Sequence, residues 1–378
     1  MLKFFEQRTQ SIQPPTMRRG LIGGACLNGF VFHDSSRVRW SKGVHHNVAR
    51  FVPRRAKNDK LRTGIISAMI LVTGGTGFLG RALIRQLVST GQQVRTLVRP
   101  SKRTPALPRG VAVEVAVTSL GDERGLRAAL RGVDVIYHLA GAEHEGARGN
   151  ILETDARGTA NLARVAAQAR IQHFFYVSHL GADRSSFYPV LKMKGVAEEH
   201  IRKSGVPYTI FRSGLLYGPE DHFTTSLARL AALFPVMFVP GQGEVLIQPL
   251  WVEDLVTCLL WSLDNPEMAN QTYEVGGAEY FSFRQVLDII LSVIGKKPLI
   301  LPLGLPYLRS LTVLMQSMVP NFPFSTYWVD YLGYNRTAPS DTISRIFGFV
   351  PARFTYRLDH LKAIDWRRDA LKTLYKRP

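Results

Sequence analysis

The sequence predicts an α/β fold of the Rossmann type: a doubly wound parallel sheet with a smaller C-terminal lobe that contributes part of the sheet. Three observations carry this. Residues 69–80 read M-I-L-V-T-G-G-T-G-F-L-G, an apolar run, a glycine-dense turn and the start of a helical apolar pattern. Apolar runs and helical patterns then alternate to about residue 212, which requires crossover connections and hence parallel strands. The chain has 46% apolar and 20% charged residues over 378 positions, enough for a full core.

Ile70, Leu71 and Val72 form the first strand, and Phe78, Leu79, Ala82, Leu83, Leu87 and Val88 mark the helix that follows, through Gly91. Between them Gly74 permits the tight turn, Gly77 lets backbone approach a pyrophosphate, and Gly80 lets helix and strand pack closely; Thr76, Phe78 and Leu79 complete the corner. A helix start offers free N–H groups and partial positive charge to phosphates. Glycine turns also occur without ligands, but this one lies between a strand and a helix, which favours a bound dinucleotide cofactor.

The second strand is Gln93 to Val98, followed by Arg99, Lys102 and Arg103. An NAD-binding corner places a carboxylate about 20 residues past the turn for the ribose 2′-hydroxyl. No acidic residue occurs between Arg81 and Val113. A guanidinium at Arg99, supported by Lys102, pairs with a 2′-phosphate that a carboxylate would repel, so NADP(H) is expected over NAD(H). The competing reading is a solvated basic loop.

The third strand spans Val111 to Val117, a helix covers Leu126 to Leu130, and the fourth strand starts near Val133 and runs through H-L-A-G to Gly141. Gly158-Thr159-Ala160-Asn161 sits in a long helical pattern, and Ile171 to Ser178 forms the fifth strand. Taken with TGGTGFLG, these segments resemble the extended and atypical short-chain dehydrogenase/reductase superfamily, from about Met69 to Leu361. The resemblance implies that Ala140 and Gly141 pass beside the cofactor. It also implies that Thr118 and Ser119 replace a Gly-Asp pair that contacts adenine. His138, on a strand in an apolar run, reads as a packing residue.

The superfamily's chemistry needs a hydroxyl, a Tyr proton donor and a Lys that lowers the Tyr pKa and holds the nicotinamide ribose. Ser178 ends the fifth strand where the family's hydroxyl is found. Two registers then compete. Tyr188 and Lys192 satisfy Y-x-x-x-K and would complete a triad. Alternatively, Glu198 four residues beyond Lys194 selects Lys194 as the ribose ligand and puts Val190 where the Tyr belongs. Pro189 disfavours helical geometry at Tyr188 and so favours the second register.

S-G-V-P-Y-T-I-F-R from Ser204, Y-G-P-E-D-H-F from Tyr217, Gln248 to Leu255 and Tyr273 to Gly277 resemble one atypical branch. That branch holds the NADPH-binding accessory subunit of respiratory complex I and its bacterial relatives. It implies a cofactor-holding or assembly role, with weak or no turnover, beside a membrane-associated protein complex. The alternatives are an active oxidoreductase or epimerase/dehydratase on a carbonyl, sugar-nucleotide or isoprenoid-type substrate, and an NADP(H)-sensing regulator. Ser282 and Gln285 are spaced as a helix capping box, His222 is a loop histidine near the expected cofactor mouth, and residues 356–376 have the pattern of a charged tail helix.

The expected organisation is a basic N-terminal extension (1–68), a dinucleotide-binding domain (69–212) and a C-terminal lobe (213–378). The extension carries 13 Lys and Arg against 3 Asp and Glu, more than half of the net +19. It reads as residues upstream of a true start at Met69, or else as a transit peptide to the mitochondrial matrix. With the charge concentrated there, and no aromatic-interleaved basic stripe, nucleic acid is not an expected partner. Two cysteines, Cys26 and Cys258, exclude a disulfide framework and a cysteine metal site, and suit a reducing, cytoplasmic setting. No transmembrane helix is expected. The most apolar stretch, residues 298–320, reads as a helix with a buried face, the alternative being a patch on a membrane or larger complex.

Overall fold

The computed structural model describes residues 68–101, 104–142, 150–319 and 321–375. Lys102 and Arg103, the extension to residue 67 and the last three residues lie outside the described residues.

Seven parallel strands form the central sheet: β1 (Met69–Thr73), β2 (Gln93–Val98), β3 (Glu114–Val117), β4 (Val135–His138), β5 (His173–His179), β6 (Tyr208–Ser213) and β11 (Gln271–Val275). Their order is β11-β6-β5-β4-β1-β2-β3, with Ile70 paired to Val94 on one side and Val135 on the other. The order reverses at β1. This switch point, at the carboxyl ends of β1 and β4, is where open α/β sheets bind ligands.

The crossovers are α1 (Phe78–Ser89), α2 (Glu123–Ala129), α3 (Gly158–Gln168) and α4 (Pro189–Lys203). A six-residue π-helical segment, Leu152–Arg157, leads into α3. Beyond β6 come β7 (Leu216–Tyr217), α5 (Phe223–Leu233), β8 (Val236–Pro240), β9 (Leu246–Ile247), β10 (Leu250–Trp251) and α6 (Val252–Leu263). After β11 follow β12 (Phe281–Ser282), α7 (Phe283–Ile294), β13 (Leu299–Leu303), α8 (Leu305–Met318), α9 (Thr326–Tyr331), α10 (Thr342–Phe347) and α11 (Trp366–Tyr375).

Three apolar clusters hold this together. Leu71, Ile136, Phe174 and Ile210 pack with α3 and α4 on one sheet face. Ile70, Val72, Phe175 and Phe211 pack with α1 and α6 on the other. Phe223, Leu287, Trp328 and Phe354 anchor a separate core among α5, α7 and α9. The alternation of β5, with Phe174 and Phe175 in different clusters, is the period of two that a sheet covered on both faces requires. Ser282 and Gln285 form the expected capping box at the start of α7.

Two sequence expectations need correction. The stretch 298–320 is a strand followed by a helix, and α8 buries only Leu308 and Thr312 fully while Tyr307, Leu314 and Met318 are exposed. The tail helix begins at Trp366, because short 3₁₀ turns occupy Phe354–Tyr356 and Asp359–Leu361.

Candidate functional site

A cleft of about 560 Å³ opens at the switch point, lined by the glycine turn, the ends of β2 and β4, and residues of α4 and α9. Its floor is set by glycines. Gly74 has φ +74°, and a Cβ there would lie 2.7 Å from the Leu139 carbonyl carbon and 2.8 Å from the Ala140 nitrogen. A Cβ on Gly80 would lie 2.2 Å from the Gly74 oxygen, so the first turn of α1 sits directly on the loop. The Gly77 N–H donates to the Gly74 oxygen at 2.9 Å, closing the turn. No side chain caps α1, whose first turn carries no acidic residue. Thr76, Gly77, Phe78, Leu79 and Gly80 all face the cleft. This is a backbone cradle with positive helix-end potential, open to a pyrophosphate.

Arg99 lines the adjoining end of the cleft with Leu97, Val98 and Ser119, and it is exposed. Arg81 instead braces the turn: its Nη1 donates to the Thr76 carbonyl at 2.6 Å and its Nη2 pairs with Glu220 at 2.7 Å. Ala140 and Gly141 form the β4 wall. His138 lies on the buried side, with Nδ1 2.6 Å from Thr73 Oγ1 and Nε2 2.8 Å from Thr159 Oγ1, a structural bridge between β1, β4 and α3.

The structure separates the competing catalytic residues. Lys194 reaches the cleft; Lys192 and Tyr188 do not line it. Tyr188 precedes α4 in an extended conformation (ψ 118°), as Pro189 at the first helical position dictates, and packs against Tyr334 with ring centroids 5.1 Å apart. Lys192 is exposed. Val190, one turn before Lys194, is buried in the C-terminal core.

Lys194 Nζ sits 2.8 Å from Asp155 Oδ1 and 5.6 Å from the Tyr176 ring centroid. Both partners of the ion pair are almost fully buried. The π-helical segment projects Asp155 inward, and the Ala142 N–H donates to its Oδ2 at 3.0 Å, tying Lys194 to the loop after β4. Glu198, whose spacing selected Lys194, is itself gripped by Arg212 through both carboxylate oxygens, at 3.0 and 2.8 Å.

Ser178 is placed differently from the sequence expectation. The pleat turns Val177 and His179 to the cleft, and Ser178 between them is fully buried and absent from its lining. His179 was not singled out from sequence; strand alternation carried one residue further would have found it. Its Nε2 lies 3.5 Å from the hydroxyl of Tyr327, which α9 brings across the cleft beside Trp328 and Tyr331. Burial pushes the Tyr331 phenol up to about 12, making it a poor proton donor. His222 also lines the cleft.

A family model described as NAD(P)H-binding matches residues 74–229. Ceramide reductase of Caulobacter vibrioides is 30% identical over 79% of this chain and 96% of its own. The chain belongs to the atypical, extended short-chain dehydrogenase/reductase superfamily. Within that superfamily it is also similar to NADH dehydrogenase [ubiquinone] 1 alpha subcomplex subunit 9, mitochondrial, of Arabidopsis thaliana (26% identity, 83% of this chain, 82% of that one). Among solved structures, NADPH-dependent quinone oxidoreductase QOR2 of Escherichia coli, complexed with NADPH, aligns with a TM-score of 0.62 at 22% identity. The alignment covers 78% of this chain and 99% of that one. The UDP-glucose 4-epimerase of Thermotoga maritima aligns at 0.59 and 19%, over 80% of this chain and all of the other. At these identities the two structures support the superfamily fold and nothing narrower.

Proposed function

We propose that this superfamily member holds NADP(H) in the cleft and turns it over weakly or not at all by the family's Tyr–Lys route. The observation that carries this reading is the Lys194–Asp155 pair with Val190, not a tyrosine, one helical turn before the lysine. Gly74, Thr76, Gly77, Phe78, Leu79 and Gly80 would cradle the pyrophosphate, Ala140 and Gly141 would flank the cofactor, and Lys194 would hold the nicotinamide ribose. Arg99 would pair with the 2′-phosphate, and the sequence from Arg81 to Val113 carries no carboxylate to hold a ribose 2′-hydroxyl. Once bound, the cofactor would supply a hydride donor or acceptor. The similarity to the mitochondrial NADH dehydrogenase subunit supports a cofactor-stabilised role in a membrane-associated assembly. No described helix is long and apolar enough to cross a membrane.

A second reading, an active reductase, is favoured by the ceramide reductase relative and by His179 and Tyr327, which put an imidazole and a phenol in the cleft. Trp328 lines the same cleft and serves as the fluorescent reporter. Titration of tryptophan emission with NADPH and NADH should show saturable binding with NADPH tighter. Arg99→Asp should weaken NADPH by about 5- to 30-fold, the range for losing one exposed charge-assisted contact, and leave NADH within a few-fold. Retention of the NADPH preference in this variant rejects the role given to Arg99.

A further inference from the structure

The C-terminal lobe presents an apolar face that its own core does not cover. Strands β8 and β13 pair in parallel as an isolated ribbon, with Leu299 opposite Val236 and Leu301 opposite Phe238. Met237 and Val239 point into the core, whereas Phe238, Leu299 and Leu301 on the outer face are exposed. An outer sheet face in contact with water ordinarily alternates to polar residues; this one does not. Beside it, Tyr307, Leu311, Leu314 and Met318 recur at the 4-3-4 spacing of one stripe on α8, and Tyr307 and Met318 are 73% and 67% exposed. Between ribbon and helix lies an apolar cavity of about 210 Å³, walled by Val236, Phe238, Leu311, Met315 and Phe322. Exposed apolar residues grouped around an apolar cavity mark an interaction site.

Charge decides the occupant. Residues 222–243 and 289–329, which supply the ribbon, the helix and most of the cavity wall, contain no Asp or Glu. Arg229 and Arg309 are paired to Asp369 and Asp330. Lys296 and Lys297, exposed immediately before β13, are left at the edge of the face. A second copy would set lysines against lysines, and the extension 1–68 is itself basic. We propose that this face docks on an anionic phospholipid surface, with the α8 stripe and ribbon at the headgroup–acyl boundary, the lysines on lipid phosphates and the cavity taking the end of an acyl chain. The chain would then lie on a bilayer without crossing it.

The test is co-sedimentation of the full-length chain with phosphatidylcholine vesicles, with and without phosphatidylglycerol. Binding is expected to the anionic vesicles and to weaken with salt. Leu314→Glu/Met318→Glu, at exposed positions that leave the cleft intact, should reduce partitioning at least tenfold. Lys296→Glu/Lys297→Glu should do the same, since each lysine near such a surface contributes roughly fivefold. Unchanged melting and NADPH titration keep misfolding out of the comparison. Equal binding by wild type and both variants overturns the proposal and assigns attachment to the basic extension. No binding by wild type also overturns it, as does a wild-type dimer that Leu314→Glu/Met318→Glu converts to monomer without vesicle affinity.

Discussion

Replacing Asp155 by Asn tests the centre of the site. The substitution keeps an acceptor for the Ala142 N–H, which now reaches Asp155 Oδ2 at 3.0 Å, so what it removes is chiefly charge. Lys194 Nζ lies 2.8 Å from Asp155, and the two side chains are 3% and 0% exposed, so water screens the pair little. Breaking such a buried pair costs about 3–5 kcal/mol. At about 2 °C per kcal/mol for a domain of this size, the melting temperature should fall by roughly 6–10 °C. Lys194→Met should cost a similar amount by removing the ammonium beside the buried carboxylate. The double variant Asp155→Asn/Lys194→Met carries neither charge and should recover to within about 2 kcal/mol of wild type, a coupling of at least about 4 kcal/mol. Urea unfolding of the four proteins, followed by circular dichroism, measures it. Additivity within about 0.5 kcal/mol would refute the claim that the two residues form one buried unit. The same set separates folding from binding: the double variant should be stable yet bind NADPH at least tenfold more weakly, since loss of a hydrogen bond from a charged group removes about 1.5–3 kcal/mol.

Gly80→Ala should weaken NADPH binding by more than tenfold, read by tryptophan titration, because its Cβ would meet the Gly74 oxygen at 2.2 Å, and that atom is backbone. If reductase turnover is detected, Tyr188→Phe should leave kcat unchanged and Tyr327→Phe should lower it, because of these two Tyr327 lines the cleft and Tyr188 does not. Burial lowers the His173 pKa from 6.5 to about 4, so the folded state takes up its proton later than the unfolded chain as pH falls. The associated stability is present above about 6.5 and is lost as pH falls toward 4. The loss amounts to about 2–3 kcal/mol; His173→Gln should flatten that segment of the stability–pH curve measured by urea titration.

The sheet was legible because apolar runs and glycine turns are local signals. β2 runs from Gln93 to Val98 as the sequence reads, and α1 begins at Phe78. What escaped depends on register or on distance. Ser178 is buried while its neighbour His179 lines the cleft, because in a strand one residue changes the face. Asp155 and Lys194 are 39 positions apart and meet only because an extra-wide helical turn aims the carboxylate inward. No local pattern announces such a pairing. The strand at Leu299–Leu303 was hidden by its neighbour: an apolar run leading into an apolar helix has no polar break to separate the two periods.

Tyr188 and Lys192 show why a motif's spacing has meaning only on a helix. Residues four apart share a face when both lie on the helical spiral, and α4 starts at Pro189, leaving Tyr188 outside it. The residue that does share a face with Lys194 is Val190, and its apolar side chain belongs to the core of the C-terminal lobe. In α4, Val190 packs into that core while Lys194 pairs with Asp155. Across the cleft, α9 brings Tyr327 to His179, and it belongs to the same lobe that carries the apolar face of α8.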